Sequence, residues 1–415
     1  TPMETPIVEY LDCLGMYLPE IDSNMGQAFS FRDFDQQWVG LRYDMTASLV
    51  RHVIQNNDTV SFPVKRQTVG PVFRNEAQFS GKLRQFQQMD VDYVGAVGPI
   101  AEAEILIMLR DSLGCVGLPS DSVCIYLNDR RILDIFLDHA GIADLATRQS
   151  ILAIMDYHDG LSDEEIVLRL GHEKQEDEGR PAVGLGLTPV QIDAVLSLLT
   201  SPAILLDDQS LGWIEAHVSG HPDGAEVLEC FTWLTSALHD PDGRHIAFKF
   251  DPKIIRGLSY YSGLIFEVKS TDPALIEIGS IAGGGRYDRL FEKYNRRDLS
   301  AIGFSIGIDR VVTLLQVCQR SEKPDFSTCV EIVVSMRQRK LQTEVYALAS
   351  LLRREGIQCI LNDMSVNTDT TDKDDDSFLF SHRVEYTEKG KWKITDLHHN
   401  KYNIVLTSDV ISEFL

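Results

Sequence analysis

The sequence predicts an α+β fold: a largely antiparallel sheet flanked by helices, broken by a helical insertion, with a C-terminal α/β domain after it. Three observations predict it. Short β-like runs separated by polar turns fill the first hundred residues, helical segments dominate residues 132–240, and strand character then returns at HIAFKFDP and LIFEVKS. A chain that leaves a sheet and comes back to it carries a guest between the two halves. The expected division is therefore 1–131 and 241–322 for the two parts of the core, 132–240 for the insertion, and 328–415 for the C-terminal domain.

In chain order, SFRDF, WVGLRYD and MDVDYVG read as strands. AEAEILIMLRDSLGCVG has apolar residues at helical spacing and stops at glycine, and DSVCIYLND reads as the next strand. LDIFLDHAGI, DEEIVLRLG, TPVQIDAVLSLLTSPAILL and GAEVLECFTWLTSAL suit helices, with Thr188-Pro189 as an N-cap and first-turn proline. GHEKQEDEGRPAVG between them reads as an exposed loop. Beyond the linker SEKPDFST, VEIVVSM, LQTEVYALASLLRREG, IQCILND and NIVLTSDV give strand, helix, strand and a closing strand, and NTDTTDKDDDS reads as an acidic loop.

At 415 residues the chain exceeds the usual single domain, and 44% apolar residues supply ample core. Sixty-two acids against 39 bases give a net charge of −23, which argues against a nonspecific nucleic-acid binder. A nucleic-acid ligand needs a local basic surface, for which Arg130-Arg131, Arg296-Arg297 and Arg337 to Lys340 are candidates, as they are for plain solvated faces. The seven cysteines lack CxxC spacing and read as buried small hydrophobes in a reducing compartment; no HExxH is present, so a protein-built metal site has little support. No leader or membrane-length apolar run is evident, so a cytoplasmic protein is expected, and the opening TPMETPIVEY reads as if a preceding element were absent.

Residues 69–95, VGPVFRNEAQFSGKLRQFQQMDVDYVG, are the most informative. Strand alternation over RQFQQMDVDYVG puts Gln88, Asp90 and Asp92 on one side, and FRNE puts Arg74 and Glu76 on one face. Inward charges in an antiparallel pair are costly unless paired or liganded. Arg74 can clamp an α-phosphate while Glu76 accepts from an adenine amino group, or the two can form an internal ion pair. LRYDMT reads as a strand with Asp44 and Thr46 on one side, a carboxylate and hydroxyl suited to an ammonium group. IIRGLSYYSGLIFEV offers Arg256 for a carboxylate or phosphate, with Tyr260 or Tyr261 lining a pocket for a flat ring or packing at a sheet edge. GSIAGGGRYDRL brings three glycines that let backbone approach a ligand, and GFSIGIDRVVTLL runs from a strand into a helix that carries Arg310 near its start. Neither a Walker loop nor a dinucleotide-binding fingerprint is present.

Taken together and in this order, the segments resemble the histidyl-tRNA synthetase family of the class II aminoacyl-tRNA synthetases. METPIVE looks like the tail of motif 1, FRNE with GKLRQFQQMDVD matches motif 2, GIDR matches motif 3, and RGLSYY and GGGRYD match the histidine-specific signatures. The resemblance covers residues 4 to about 316 and implies a class II fold with a six- or seven-stranded sheet and an anticodon-binding-like C-terminal domain. It implies that Asp44, Thr46 and Gln88 hold the α-ammonium of L-histidine. Asp92 and Tyr261 would read the imidazole, with Tyr260 and Tyr287 lining the same pocket. For ATP it implies Arg74, Glu76, Arg84 and Arg310, with Mg²⁺ carried on the nucleotide, and Arg256 facing the α-phosphate opposite Arg74. It further implies tRNA(His) as acceptor, a homodimer joined through motif 1, and no membrane partner. Ser259 stands where the family has an acid, and Lys82 and Leu83 where it has arginine and an aromatic. The rival families are the synthetase-like regulatory subunit of ATP phosphoribosyltransferase and a noncatalytic synthetase-like domain; the first predicts loss of catalytic residues among Arg74, Gln88, Arg256 and Arg310, all of which are present.

Overall fold

The computed structural model of the chain describes residues 3–11, 28–75, 83–95, 98–156, 161–171, 184–240, 245–256, 260–292 and 294–318, then 329–334, 348–352, 354, 358–363, 382–386, 391–396 and 401–406. Two compact units divide it, Thr1–Cys318 and Gln319–Leu415.

The first unit opens on β1 (Val8–Tyr10), β2 (Ser30–Arg32) and β3 (Trp38–Leu41), an antiparallel sheet in the order β1-β3-β2. Helix α1 (Thr46–Gln55) leads to the long strands β4 (Val64–Phe73) and β5 (Gln85–Val94), then to α2 (Pro99–Cys115) and β6 (Val123–Asp129). Helices α3 (Arg130–His139), α4 (Leu145–Asp156), α5 (Asp163–Gly171) and α6 (Pro189–Leu199) follow, then the two-residue strand β7 (Ile204–Leu205), α7 (Asp208–Val218) and α8 (Gly224–Ala237). The chain returns through β8 (Ala247–Phe250), β9 (Leu264–Ser270), β10 (Ala282–Arg286), the single turn α9 (Arg289–Glu292), β11 (Ala301–Gly307) and α10 (Ile308–Cys318).

The main sheet has eight strands in the order β4-β5-β11-β10-β9-β6-β8-β7. Its pairings are antiparallel except for the parallel pair β6 and β8. The sheet is wider than six or seven strands because β7, from within the helical stretch, pairs with β8 at the edge. Local chemistry sets the helix starts. Thr188 and Gln191 close a reciprocal capping box at α6 with Pro189 in its first turn, and Asp129 accepts from the Arg131 amide at α3.

One core cluster packs Ile105, Leu109 and Leu113 of α2 and Phe231 and Leu234 of α8 with Ile125 and Phe266 of the sheet. A second joins Leu49 and Val53 of α1, Leu133 of α3, Ile151 of α4 and Val195 of α6 with Tyr260, Tyr261 and Tyr287. Residues 132–240, expected as an insertion, thus lie inside the first unit and share both of its cores.

In the second unit β12 (Cys329–Val334), β13 (Gln358–Asp363), β14 (His382–Tyr386), β15 (Lys391–Asp396) and β16 (Lys401–Leu406) form a sheet in the order β13-β12-β14-β15-β16. The first three strands are parallel, and β14 to β16 form an antiparallel meander around the fully buried Trp392. Of the loop expected at 171–184, Gly171 is the last residue of α5 and residues 172–183 lie outside the described residues, as do the loop expected at 367–377 and the basic cluster at 337–340.

Three local readings are corrected. The tail of TPVQIDAVLSLLTSPAILL, read as helix, leaves α6 at Leu199 and forms β7 at Ile204–Leu205. WVGLRYD is a strand only to Leu41, because the carboxylate of Asp44 accepts from the Ala47 amide at 3.2 Å and the chain turns into α1, a helix the sequence pattern did not announce. Cys115 is exposed in the last turn of α2, whereas Cys124, Cys230 and Cys359 are buried as expected.

Phe231 meets Phe250 edge to face, with centroids 5.6 Å apart, and both rings are fully buried. Phe231→Ala is expected to lower the unfolding free energy by about 3–5 kcal/mol, read from the shift of the urea midpoint.

Candidate active site

The site is built on one face of the main sheet, and strand register composes it. Across β4 and β5, Arg66 faces Asp92, Thr68 faces Asp90 and Gly70 faces Gln88. Across β5 and β11, Asp92 faces Gly303, Asp90 faces Ser305 and Gln88 faces Gly307. The row continues through Gly283 to Glu267 of β9. Directly opposed residues of an antiparallel pair share a face, so five strands bring these side chains to one surface.

The expected trio Gln88, Asp90 and Asp92 is buried together on β5. Asp92 accepts from Arg66 Nη1 at 3.0 Å and from the Tyr287 hydroxyl at 2.7 Å. Burial raises its carboxyl above the usual range, against the pull of Arg66 and Tyr287. Burial likewise lifts the Tyr287 phenol well above its ordinary value, so it stays a donor. Gln88 Nε2 donates to Asp90 Oδ1 at 2.8 Å and to Ser305 Oγ at 3.3 Å. Asp44, at the turn into α1, is also raised by burial, while its amide partner and the charges of Arg74 and Arg66 oppose the rise. Thr46 is buried in the first turn of α1.

The tyrosines form a continuous wall. Tyr260 lies 4.7 Å from Tyr261 and 6.3 Å from Tyr287, centroid to centroid, and Arg256 lies over the Tyr261 ring at 5.7 Å. Arg256 also donates to Glu267 Oε1 at 3.2 Å. Glu267 Oε2 accepts from Ser280 Oγ at 2.8 Å, and the Ser280 carbonyl accepts from Arg310 at the start of α10. Arg256 and Arg310 are thereby joined through one carboxylate and one serine. The adjoining Asp309 accepts from the Gln87 amide at 2.7 Å, which ties the head of α10 to β5.

Arg74 lies just past β4 with its guanidinium over Tyr43 at 4.6 Å and over Phe86 at 5.0 Å, two cation–π contacts. Its amide donates to the Arg84 carbonyl at 2.9 Å, and the Arg84 side chain is exposed. Glu76, together with Lys82 and Ser259, lies outside the described residues.

Two of the glycines act differently from a bare ligand floor. A β-carbon on Gly283 would collide with the Arg256 guanidinium, and one on Gly285 would sit 2.9 Å from the Tyr261 ring. Their missing side chains are the space that Arg256 and Tyr261 occupy.

Arg66 was missed in the sequence, although Arg66, Thr68, Gly70 and Val72 alternate on the buried side of β4. An arginine on the inward side of a strand was the available signal. Glu267, a lone acid in the apolar run LIFEV, was missed for want of a visible partner. Of the basic clusters, Arg131 pairs with Asp129 and Glu226, Arg130 with Asp134 and Arg296 with Asp298, so these arginines are committed to neighbouring acids.

Removing one partner of a buried ion pair strands the other charge. Arg66→Met is expected to cost about 3–5 kcal/mol of stability, measured by urea unfolding, whereas Lys65→Met on the exposed side of the same strand should cost about 0–1 kcal/mol despite its contact with Glu104.

The sequence model of the histidyl-tRNA synthetase family matches residues 2–311. The histidine–tRNA ligase of Brucella suis biovar 1 is 35% identical over 366 residues, covering 86% of this chain and 72% of that protein. That of Bartonella quintana is 36% identical over 370 residues, covering 86% and 74%. Among solved structures, histidyl-tRNA synthetase from Nostoc sp. superposes with a TM-score of 0.71 at 22% identity over 100% of this chain and 90% of that one. A Bacillus halodurans protein described as an ATP phosphoribosyltransferase regulatory subunit/histidyl-tRNA synthetase gives 0.64 at 22% identity, over 89% and 86%. These two likenesses concern the fold, and the fold is the α+β one expected. By the extent of the family match and the identity to its curated relatives, the chain belongs to the histidyl-tRNA synthetase family.

Proposed function

We propose that this chain is a histidine–tRNA ligase that activates L-histidine with ATP and transfers it to tRNA(His). In the first step a carboxylate oxygen of histidine attacks the α-phosphorus, the bond to the bridging oxygen breaks, and pyrophosphate leaves. In the second a terminal ribose hydroxyl of the tRNA attacks the acyl carbon, and AMP leaves. The observation that carries the reading is Asp92, buried between Arg66 and the Tyr287 hydroxyl beside the tilted ring pair of Tyr260 and Tyr261. A fixed acceptor next to an aromatic wall suits a flat ring that carries an N–H.

In this reading Asp44, Thr46 and Gln88 hold the α-ammonium, and Asp92 and Tyr261 read the imidazole, with Tyr260 and Tyr287 beside them. Arg74, Arg84, Glu76 and Arg310 take the nucleotide, which arrives with Mg²⁺ on its phosphates. Arg256 meets the α-phosphate opposite Arg74 and stabilises the charge that builds there, so catalysis is mainly placement and electrostatics. The assembly is a homodimer and the compartment the cytoplasm; no described helix is long and apolar enough to cross a membrane.

Pyrophosphate exchange into ATP, run with each standard amino acid and no tRNA, tests this. Exchange that depends on histidine and falls on the order of 10²- to 10³-fold in Arg256→Ala is the expected outcome. Exchange with no amino acid would sink the reading and favour the regulatory subunit. Gly283→Ala, which crowds the Arg256 guanidinium, is expected to lower kcat on the order of a hundredfold in the same assay.

A further inference from the structure

Asp90 sits at the centre of the site's polar face, yet the function above gives it no task. It is buried on β5 between Gln88 and Asp92 and opposite Thr68 and Ser305 on the flanking strands. Oδ1 accepts from Gln88 Nε2 at 2.8 Å, while Oδ2 has no hydrogen-bond partner among the described residues. The second partner of Gln88 Nε2 is Ser305 Oγ at 3.3 Å. Both amide hydrogens are thus used inward.

An ionised carboxylate only accepts hydrogen bonds, and a carboxamide has a donor end and an acceptor end. Holding the NH₂ end of Gln88 therefore decides which end is left for a ligand. We propose that Asp90 is a positioning residue that locks the Gln88 carboxamide with Nε2 turned inward, so that Oε1 is the atom offered to the α-ammonium of the amino acid. The proposal rests on the placing of Gln88 at the ammonium in the function above.

The lock depends on charge. A protonated Asp90 can donate to Gln88 Oε1 and stabilise the flipped amide, whose NH₂ end repels an ammonium. The groups around Asp90 are Asp92 on its own strand, Arg66 on β4, Arg42 before α1 and Tyr287 after β10. Burial first, and the neighbouring Asp92 charge second, push its carboxyl up to about 7, against Arg66 and its hydrogen-bond partners. The lock then holds above neutrality and loosens below it.

The test is the KM for histidine in ATP–pyrophosphate exchange between pH 6 and 8. Titration of free histidine is common to every enzyme form, so the ratio of KM values between variant and wild type removes it. In Asp90→Asn, whose side chain donates or accepts with equal ease, KM for histidine is expected to rise roughly fivefold at pH 8, the weight of one oriented hydrogen bond. KM for ATP should stay unchanged, and the ratio should shrink towards pH 6. On a Gln88→Met background Asp90→Asn is expected to add nothing, because Asp90 acts through that amide. A flat ratio, an equal change in KM for ATP, or a full effect of Asp90→Asn in the Gln88→Met background would overturn the proposal. Should Asp90→Asn not fold, the ratio of Gln88→Met to wild type carries the same pH signature, and its flatness counts equally against the lock. Absence of histidine-dependent exchange in the wild type would instead remove the ligase reading itself.

Discussion

Asp90 and Asp92 on the inner face of the main sheet and Asp44 at the turn into α1 all feel the charge of Arg66, which has only 1% of its surface exposed. Desolvated carboxylates at this spacing repel one another and resist ionisation. Arg66 offsets that cost by bonding both Asp92 and the Met45 carbonyl, so one guanidinium fixes a carboxylate on β5 and the turn that leads into α1. The tyrosine wall leans on the same point through the Tyr287–Asp92 bond. Without the arginine, the polar row of β5 would be a set of buried charges with no compensating cation at its centre.

The arrangement separates two demands that meet on one sheet. In the proposed reading, one end of the site, with Asp92 and Gln88, takes the cationic amino acid, and the other, with Arg74, Arg256 and Arg310, takes the phosphates. The ends are joined by short links: Asp44 feels the charge of Arg74, Arg256 lies over Tyr261, and Asp309 grips the Gln87 amide. Charges of opposite sign held this close set the orientation of any zwitterionic ligand that spans them, because turning it round places each of its ends against like charge.

Much of this was legible in the sequence. Alternation in RQFQQMDVD gave the buried trio, and the strand-to-helix run GFSIGIDRVV gave the position of Arg310, because both depend on periodicity within a few residues. The hidden parts depend on partners far away in the chain. Arg66 and Glu267 acquire meaning only from register with Asp92 and from contact with Arg256, and no local pattern encodes those pairings. The turn at Asp44 was missed because β-like neighbours outweighed a single capping contact to Ala47. The glycines were read as room for a ligand, whereas Gly283 and Gly285 give room to side chains that converge from another segment.

The pairing of β5 with β11 has a consequence for how the molecule is made. Their partners, from Gln88 with Gly307 to Val94 with Ala301, are separated by roughly 200 residues, which a ribosome adds at about 5–20 residues per second. The hairpin of β4 and β5 thus emerges with its open edge unpaired and its acidic row half built, and waits on the order of ten seconds or more for its neighbour. The intervening helices α3 to α8 are rich in local contacts and can close first. Assembly of this polar face is then a late event in synthesis, and the polar residues of β5, unattractive to a stray hydrophobic strand, guard that edge against mispairing until β11 arrives.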